Sequence, residues 1–328
     1  AWGVIAGTNS IVNSIELRSD NAAGVASEIL DAVAGVSAGT ALAYGGDEVT
    51  ASLEALVRDV FEHDGAHVFP VTSGTAANAL SLAALCPPWG SVICHETAHI
   101  LNSEGGATSQ LGAGAVMRGI GGDDFRMHPD ELTGALAEVR WGDPHHSQPA
   151  ALSFTQPTDF GTIYRPDEIA ALSAIARDAG MRVHLDGARI GNALASLGCT
   201  PAEMTWRAGV DVISLGATKN GGLSAEAIVS FDDRASEELV YRTKRAGHVT
   251  SKMRFQSAQL IAYLTDDLWL RLGERSNARM SRLAAGLDEL GFKRVNRADV
   301  NMLFVSVSDR AADHLEQDGL LFYRMGAG

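Results

Sequence analysis

The chain has 328 residues, of which 46% are hydrophobic and 20% charged, a globular composition with length for about two domains. No apolar run approaches the ~20 residues that a membrane-spanning helix needs. With 26 basic against 40 acidic residues the net charge is −14, which disfavours attachment to a nucleic-acid phosphate backbone.

The elements alternate along the chain. Ala66–Val71 is apolar and strand-like, and Thr75–Leu85 is a helix of small residues. Ser91–Cys94 and Ala115–Gly119 read as strands. Pro129–Val139 reads as a helix, with Leu132, Leu136 and Val139 on one side. Ala150–Phe154 is a strand. Pro166–Ala179 is a helix with Asp167 and Glu168 in its first turn and Gly180 as its stop. Met181–Leu185, Asp211–Leu215 and Ala227–Phe231 complete a strand series. Such alternation implies a mostly parallel sheet with helices on both faces. From Ser251 the texture changes to a long, Arg-rich helical stretch reaching Leu290. It is followed by strand Asp299–Val307, helix Arg310–Gln317 and strand Leu320–Tyr323. The expected division is an N-terminal extension or expression remnant over 1–15, a large domain over 16–250 and a small C-terminal α/β domain over 251–328.

Cys86, Cys94 and Cys199 form no C-x-x-C pair, so a disulfide framework is not expected. The first residues show no basic region ahead of an apolar stretch. A cytoplasmic setting is the expectation.

Three segments carry chemistry. Ser73-Gly74-Thr75-Ala76-Ala77-Asn78 stands where a strand gives way to a helix. Free N–H groups and the helix dipole at such a point attract phosphate, although an ordinary Ser cap is the plainer use of the same residues. His184-Leu185-Asp186-Gly187-Ala188-Arg189 puts Asp186 at the carboxyl end of a strand, where ligands of open α/β sheets bind; a structural cap is the alternative. Ser214–Gly222 places Lys219 among small residues after a buried strand. The other three lysines, Lys244, Lys252 and Lys293, lie in polar, Arg-rich stretches. A desolvated lysine loses its proton more easily and attacks carbonyls.

His95-Glu96-Thr97-Ala98-His99 matches H-E-x-x-H. The zinc reading needs both histidines on one helix face and a third ligand. The β-type run before His95 places it at a strand end instead, so no metal is expected.

Taken together the pieces suit a phosphorylated pyridine aldehyde. The helix start holds phosphate, the Asp keeps the ring nitrogen protonated, and the Lys forms the imine. His95 lies at a strand end from which an imidazole could cover the ring.

Leu17-Arg18-Ser19-Asp20-Asn21, Tyr44-Gly45-Gly46-Asp47, Ser73–Asn78, Ile93–His99, Leu185–Arg189 and Gly216–Gly222, in this order, resemble the low-specificity L-threonine aldolases and phenylserine aldolases. The resemblance runs from Glu16 to Tyr323. It implies the three-layer α/β/α fold of the aspartate-aminotransferase type and pyridoxal 5'-phosphate as cofactor. Lys219 would be the Schiff-base lysine, and Asp186 the partner of the pyridinium nitrogen. Arg189 would lie near the ring hydroxyl and, with Ser19, bind the substrate carboxylate. Gly74, Thr75 and Ser73 would bind the phosphate, and His95 would stack on the ring. His146, of the pair His145-His146, would be a second substrate-facing histidine.

The family's carboxylate-binding arginine falls in a strand just past residue 328. Arg324 is not taken as its equivalent, so the small domain is expected to be truncated. The reaction implied is retro-aldol cleavage of threonine, allo-threonine or phenylserine to glycine and an aldehyde, with His95, His146 or a water between them as base. A β-eliminating lyase or an aminotransferase could use the same residues, and a zinc hydrolase on His95, Glu96 and His99 is the distant alternative. Sites of this fold lie between subunits, so a homodimer or homotetramer is expected, with a small amino-acid substrate and neither nucleic acid nor membrane as partner.

Overall fold

A computed structural model describes residues 14–325. Apart from residues 14 and 15, the N-terminal extension expected over 1–15 lies outside the described residues. Eleven strands are formed among them: β1 (Ile15–Glu16), β2 (His67–Val71), β3 (Gly90–His95), β4 (Val116–Ile120), β5 (Gln148–Thr155), β6 (Arg182–Gly187), β7 (Val212–Gly216), β8 (Glu226–Ser230), β9 (Lys293–Arg294), β10 (Val305–Ser306) and β11 (Leu320–Leu321). The helices are α1 (Ser27–Gly35), α2 (Glu48–Val60), α3 (Gly74–Leu85), α4 (His99–Asn102), α5 (Ala107–Leu111), α6 (Pro129–Ala137), α7 (Pro166–Asp178), α8 (Ile190–Leu197), α9 (Pro201–Met204), α10 (Asp233–Arg245), α11 (Arg254–Leu264), α12 (Leu268–Glu289) and α13 (Asp309–Gln317).

Seven strands make one sheet in the order β2-β8-β7-β6-β5-β3-β4. β8 runs antiparallel to both its neighbours, and the other pairings are parallel. Alternate residues of a strand face opposite sides, and both sides of this sheet are buried. Ile93, Leu152, Phe154, Leu185 and Ile213 face one apolar core. Val92, Cys94, Ala151, Val212 and Ile228 face another, closed by Ala77 and Leu80 of α3 and Leu239 of α10. This is the expected three-layer arrangement around a mostly parallel sheet. Its expected strands form within a few residues of their predicted limits.

Two differences stand out past residue 250. The stretch 251–290 is two helices, broken at Thr265–Asp267, where Asp266 and Asp267 take φ of 50° and 55°. Leu260, Tyr263 and Leu264 of α11, with Leu268 and Trp269 of α12, belong to the same apolar core as the sheet. Chain texture changes at 250, but burial continues across it. The strand expected over 299–307 shortens to Val305–Ser306, paired with β9. Side chains take the place of a ladder there: Asn296 donates to the carbonyls of Phe160 and Met302 and accepts from Phe304 N–H, and Asp299 accepts from Ile163 N–H. At the chain's other end Leu320–Leu321 pairs in parallel with Ile15–Glu16.

Candidate active site

The carboxyl ends of β6 and β7 lie side by side, with Asp186 opposite Ser214 and Gly187 opposite Leu215. Two turns leave this edge. One carries Asp186 to Arg189. The other is a short 3-10 turn, Thr218–Asn220, and carries Lys219. They approach so closely that a Cβ on Gly216 would strike the backbone of Ala188. The lysine turn is fixed from beneath. Glu226, on the antiparallel strand β8, accepts from Ala217 N–H at 3.0 Å and from Thr218 N–H at 3.3 Å. Burial raises the Glu226 pKa, and these hydrogen bonds and the Lys219 charge oppose that shift. From outside, Tyr263 donates to Gly216 O at 3.0 Å, and Asn220 donates to Tyr263 Oη and to Trp269 O. Helices beyond residue 250 therefore hold the lysine in place.

Asp186 is 3% exposed. Its Oδ1 accepts from Ala188 N–H at 3.1 Å, and its Oδ2 from Asn78 Nδ2 at 2.9 Å. Asn78 stands on α3, which crosses this face of the sheet. Two residues earlier on the same face, His184 is fully buried between Ser153 Oγ (2.9 Å) and Ser214 Oγ (3.0 Å). Burial pushes His184 down to about 4, against a weaker upward pull from Asp186.

The same Asn78 amide nitrogen donates to Glu104 Oε1 at 2.9 Å. That oxygen lies 3.0 Å from His99 Nδ1. The His99 backbone N–H is bound by Asp159 Oδ2 at 2.9 Å. The Glu104 hydrogen bond raises His99 above the ordinary imidazole range. Burial, then the Asp186 charge, pushes Asp159 up to about 6.

Arg189 forks onto Asp20, Nε to Oδ2 at 2.5 Å and Nη2 to Oδ1 at 3.1 Å. This bidentate pair brings Ser19, the residue before Asp20, to the same edge from the start of the chain. Ser19 Oγ accepts from Asn21 N–H at 3.2 Å.

α3 begins at the carboxyl end of β2. Ser73 is its N-cap, with Oγ accepting from Ala76 N–H at 3.2 Å. The first N–H groups of a helix have no partner within it. A Cβ on Gly74 would meet nothing within 4 Å, so the space over this helix start is open.

Lys219, Asp186, Arg189, Ser19, Ser73, Gly74 and Thr75 thus meet at one edge of the sheet. Two expected residues do not. His95 ends β3 and, by alternation, shares the side of Ile93 and not that of Cys94 and Asp186. Its Nδ1 is held by Thr97 Oγ1 at 2.8 Å, and burial lowers its pKa. The imidazole beside Asp186 belongs to His99. His146 is exposed, 3.7 Å from Asp143 Oδ2. It precedes β5, whose far end, Thr155, pairs with Asp186. Eight strand residues, about 25 Å at ~3.3 Å each, separate it from the site within one chain. The H-E-x-x-H helix does not form, since His95 closes a strand and His99 opens a separate helix.

Asn78 and Asp20 lie inside the sequence motifs with no role read for them, and His99 enters there only as a ligand of the zinc alternative. Glu104 and Asp159 had no sequence signal, because no spacing links them to Asp186.

The beta-eliminating lyase family matches residues 16–310 of this chain. The low specificity L-threonine aldolase of Pseudomonas aeruginosa is 40% identical over 310 residues, covering 94% of this chain and 88% of its own. That of a second Pseudomonas is 38% identical over 317 residues, covering 96% and 91%. The threonine aldolase of Leishmania major superposes with a TM-score of 0.89 at 26% identity, covering 95% of this chain and 90% of that one. An alanine–glyoxylate aminotransferase from Nostoc shares the fold, with a TM-score of 0.66 at 17% identity.

Proposed function

This chain belongs to the beta-eliminating lyase family, among the low specificity L-threonine aldolases, and on that premise we propose that it binds pyridoxal 5'-phosphate at the Lys219–Asp186 edge and cleaves L-threonine-like β-hydroxy-α-amino acids to glycine and an aldehyde. The observation that carries this reading is the meeting of Lys219, Asp186 and Arg189 with the open N-terminus of α3. The donor set suits the cofactor: unpartnered N–H groups and open space at Gly74 for a phosphate, a buried carboxylate with lone pairs to spare for a pyridinium, and a lysine amine for the aldehyde.

Bound there, pyridoxal phosphate supplies the electron sink for the pair left when Cα–Cβ breaks. The rest falls to the protein. Lys219 tethers the cofactor. Gly74 and Thr75 donate backbone N–H groups to its phosphate, while Ser73 spends its hydroxyl capping α3. Asp186, held by Asn78 and Ala188, keeps its charge aimed at the ring nitrogen. Arg189 and Ser19 anchor the substrate carboxylate and so fix which bond to Cα stands ready to break. His99, with Nδ1 engaged by Glu104, has Nε2 to accept the β-hydroxyl proton; general-base help of this kind contributes about 10²–10⁴ in rate.

A homodimer or homotetramer with sites between subunits and a cytoplasmic setting are part of the proposal. Among the described residues all three cysteines are free, and no helix is long and apolar enough to cross a membrane. Light scattering reads the assembly. The decisive experiment is an absorbance spectrum with the cofactor, followed by product analysis on threonine, allo-threonine and phenylserine. A bound visible chromophore with glycine and aldehyde as products supports the reading. Ammonia and a keto acid would make the chain an eliminating lyase.

A further inference from the structure

One carboxyl group at this edge touches neither cofactor nor substrate in the reading above and meets the site only through its neighbours. Glu104 sits between α4 and α5 with its side chain 1% exposed. A buried carboxyl is costly unless paired and hydrogen-bonded, so its partners need an explanation. Both act through one oxygen: Oε1 meets His99 Nδ1 at 3.0 Å and Asn78 Nδ2 at 2.9 Å. Oε2 is buried with no partner among the described residues. Asn78, 2% exposed, uses its amide nitrogen twice, once for Glu104 and once for Asp186 Oδ2 at 2.9 Å. A continuous path of hydrogen bonds therefore runs from the His99 ring through Glu104 and Asn78 to Asp186.

We propose that Glu104 is a positioning residue that locks the His99 imidazole and, through the Asn78 amide, the Asp186 carboxylate into one unit. The proposal rests on the reading of the Asp186–Lys219 edge as the cofactor site. Glu104 gives His99 one orientation, with Nε2 as the only ring nitrogen left for proton transfer. The Asn78 amide keeps Asp186 from turning away from the ring nitrogen it serves. The charged groups facing His99 are Glu104 from the α4–α5 connection, Asp159 from the loop after β5 and Asp186 from β6. Asp159 in turn faces Asp186 and Arg189. Of these, only Glu104 bonds the ring.

The test uses holoenzyme of the wild type, Glu104→Gln and Asn78→Ala. Hydrogen–deuterium exchange at the His99 ring carbon, resolved by tandem mass spectrometry across pH, gives the imidazole midpoint. Dilution followed by absorbance gives cofactor affinity. Gln keeps the shape and the acceptor of Glu104 without its charge. The His99 midpoint should fall by about one pH unit, a tenfold change in proton affinity, while the melting temperature stays near that of the wild type. Glu104→Asp should return part of the shift, and it reads the same midpoint should the Gln variant not fold. Asn78→Ala should leave the His99 midpoint in place and weaken cofactor binding about tenfold, an effect of the size expected for a lost charge-assisted hydrogen bond. An unchanged His99 midpoint in Glu104→Gln, or unchanged cofactor affinity in Asn78→Ala, overturns the proposal. A wild type that takes up no chromophore refutes the cofactor site itself, while the His99 midpoint still reports on Glu104.

Discussion

Asp186 has an imidazole on either side of it, and the two sides are built differently. Beneath it, His184 is sealed inside the sheet, each ring nitrogen against a serine hydroxyl. Above it, His99 opens the short helix α4 against a carboxyl, with 38% of its side chain exposed. The same ring is pushed down to about 4 in the first place and raised in the second. Neutral partners and full burial favour the uncharged form, whereas a carboxyl partner favours the charged one. The sheet supplies buried, neutral support, and the connecting segments beyond its carboxyl edge, the short helix α4 among them, supply groups that can move a proton.

If that division is right, removing rim residues should cost chemistry and removing floor residues should cost stability. The largest effect is expected from Lys219→Ala. Turnover should fall by at least about 10³ with loss of the covalent chromophore, yet the melting temperature should hardly move; calorimetry and absorbance on one sample check both. His99→Ala should lower kcat by about 10²–10⁴ with little change in urea midpoint. His184→Ala should do the reverse. It leaves Ser153 and Ser214 without a partner and opens a void, a loss of about 2–4 kcal/mol, with kcat per folded molecule close to wild type. A His184→Ala protein that is fully stable but inactive would break the comparison.

The pH dependence sharpens it. The His184 pKa is depressed from 6.5 to about 4 on folding, so the unfolded chain binds more protons in between. Its contribution is present above pH 6.5 and is lost as pH falls toward 4. His99 is raised, so its contribution is full below pH 6.5 and is lost as pH rises through its folded value. Urea titrations from pH 4 to 8 on the two alanine variants should show slopes changed in opposite senses. The smallest effect belongs to Ser73→Ala, where loss of the α3 cap should cost about 1 kcal/mol, with cofactor binding largely retained because backbone N–H groups do the holding; equilibrium unfolding and cofactor titration check the two parts.

Strand and helix positions were legible because a sheet buried on both faces needs continuous apolar runs, and those runs are visible in the chain. Lys219, Asp186 and Gly74 were legible for a related reason: each stands directly after a strand, and a parallel sheet brings its carboxyl ends to one edge. His95 misled because a strand end was equated with the site. Side-chain alternation sends His95 to the other face, and four residues later the chain has turned enough for His99 to enter. His146 misled because a motif gives order along the chain and says nothing of which end of the next strand it occupies.

By itself, then, the sequence determined the layer order, the edge where the proposed site lies and three of the residues placed there, since these follow from local pattern and strand direction. Tertiary structure alone decided which imidazole faces Asp186, that Asp20 from the chain start clasps Arg189, that Tyr263 braces the lysine turn, and that Glu104 and Asn78 join the site. Those pairings cross 26 to 169 residues of chain. They are fixed only when the core closes, because a hydrogen bond between distant residues leaves no periodicity in the chain that carries it.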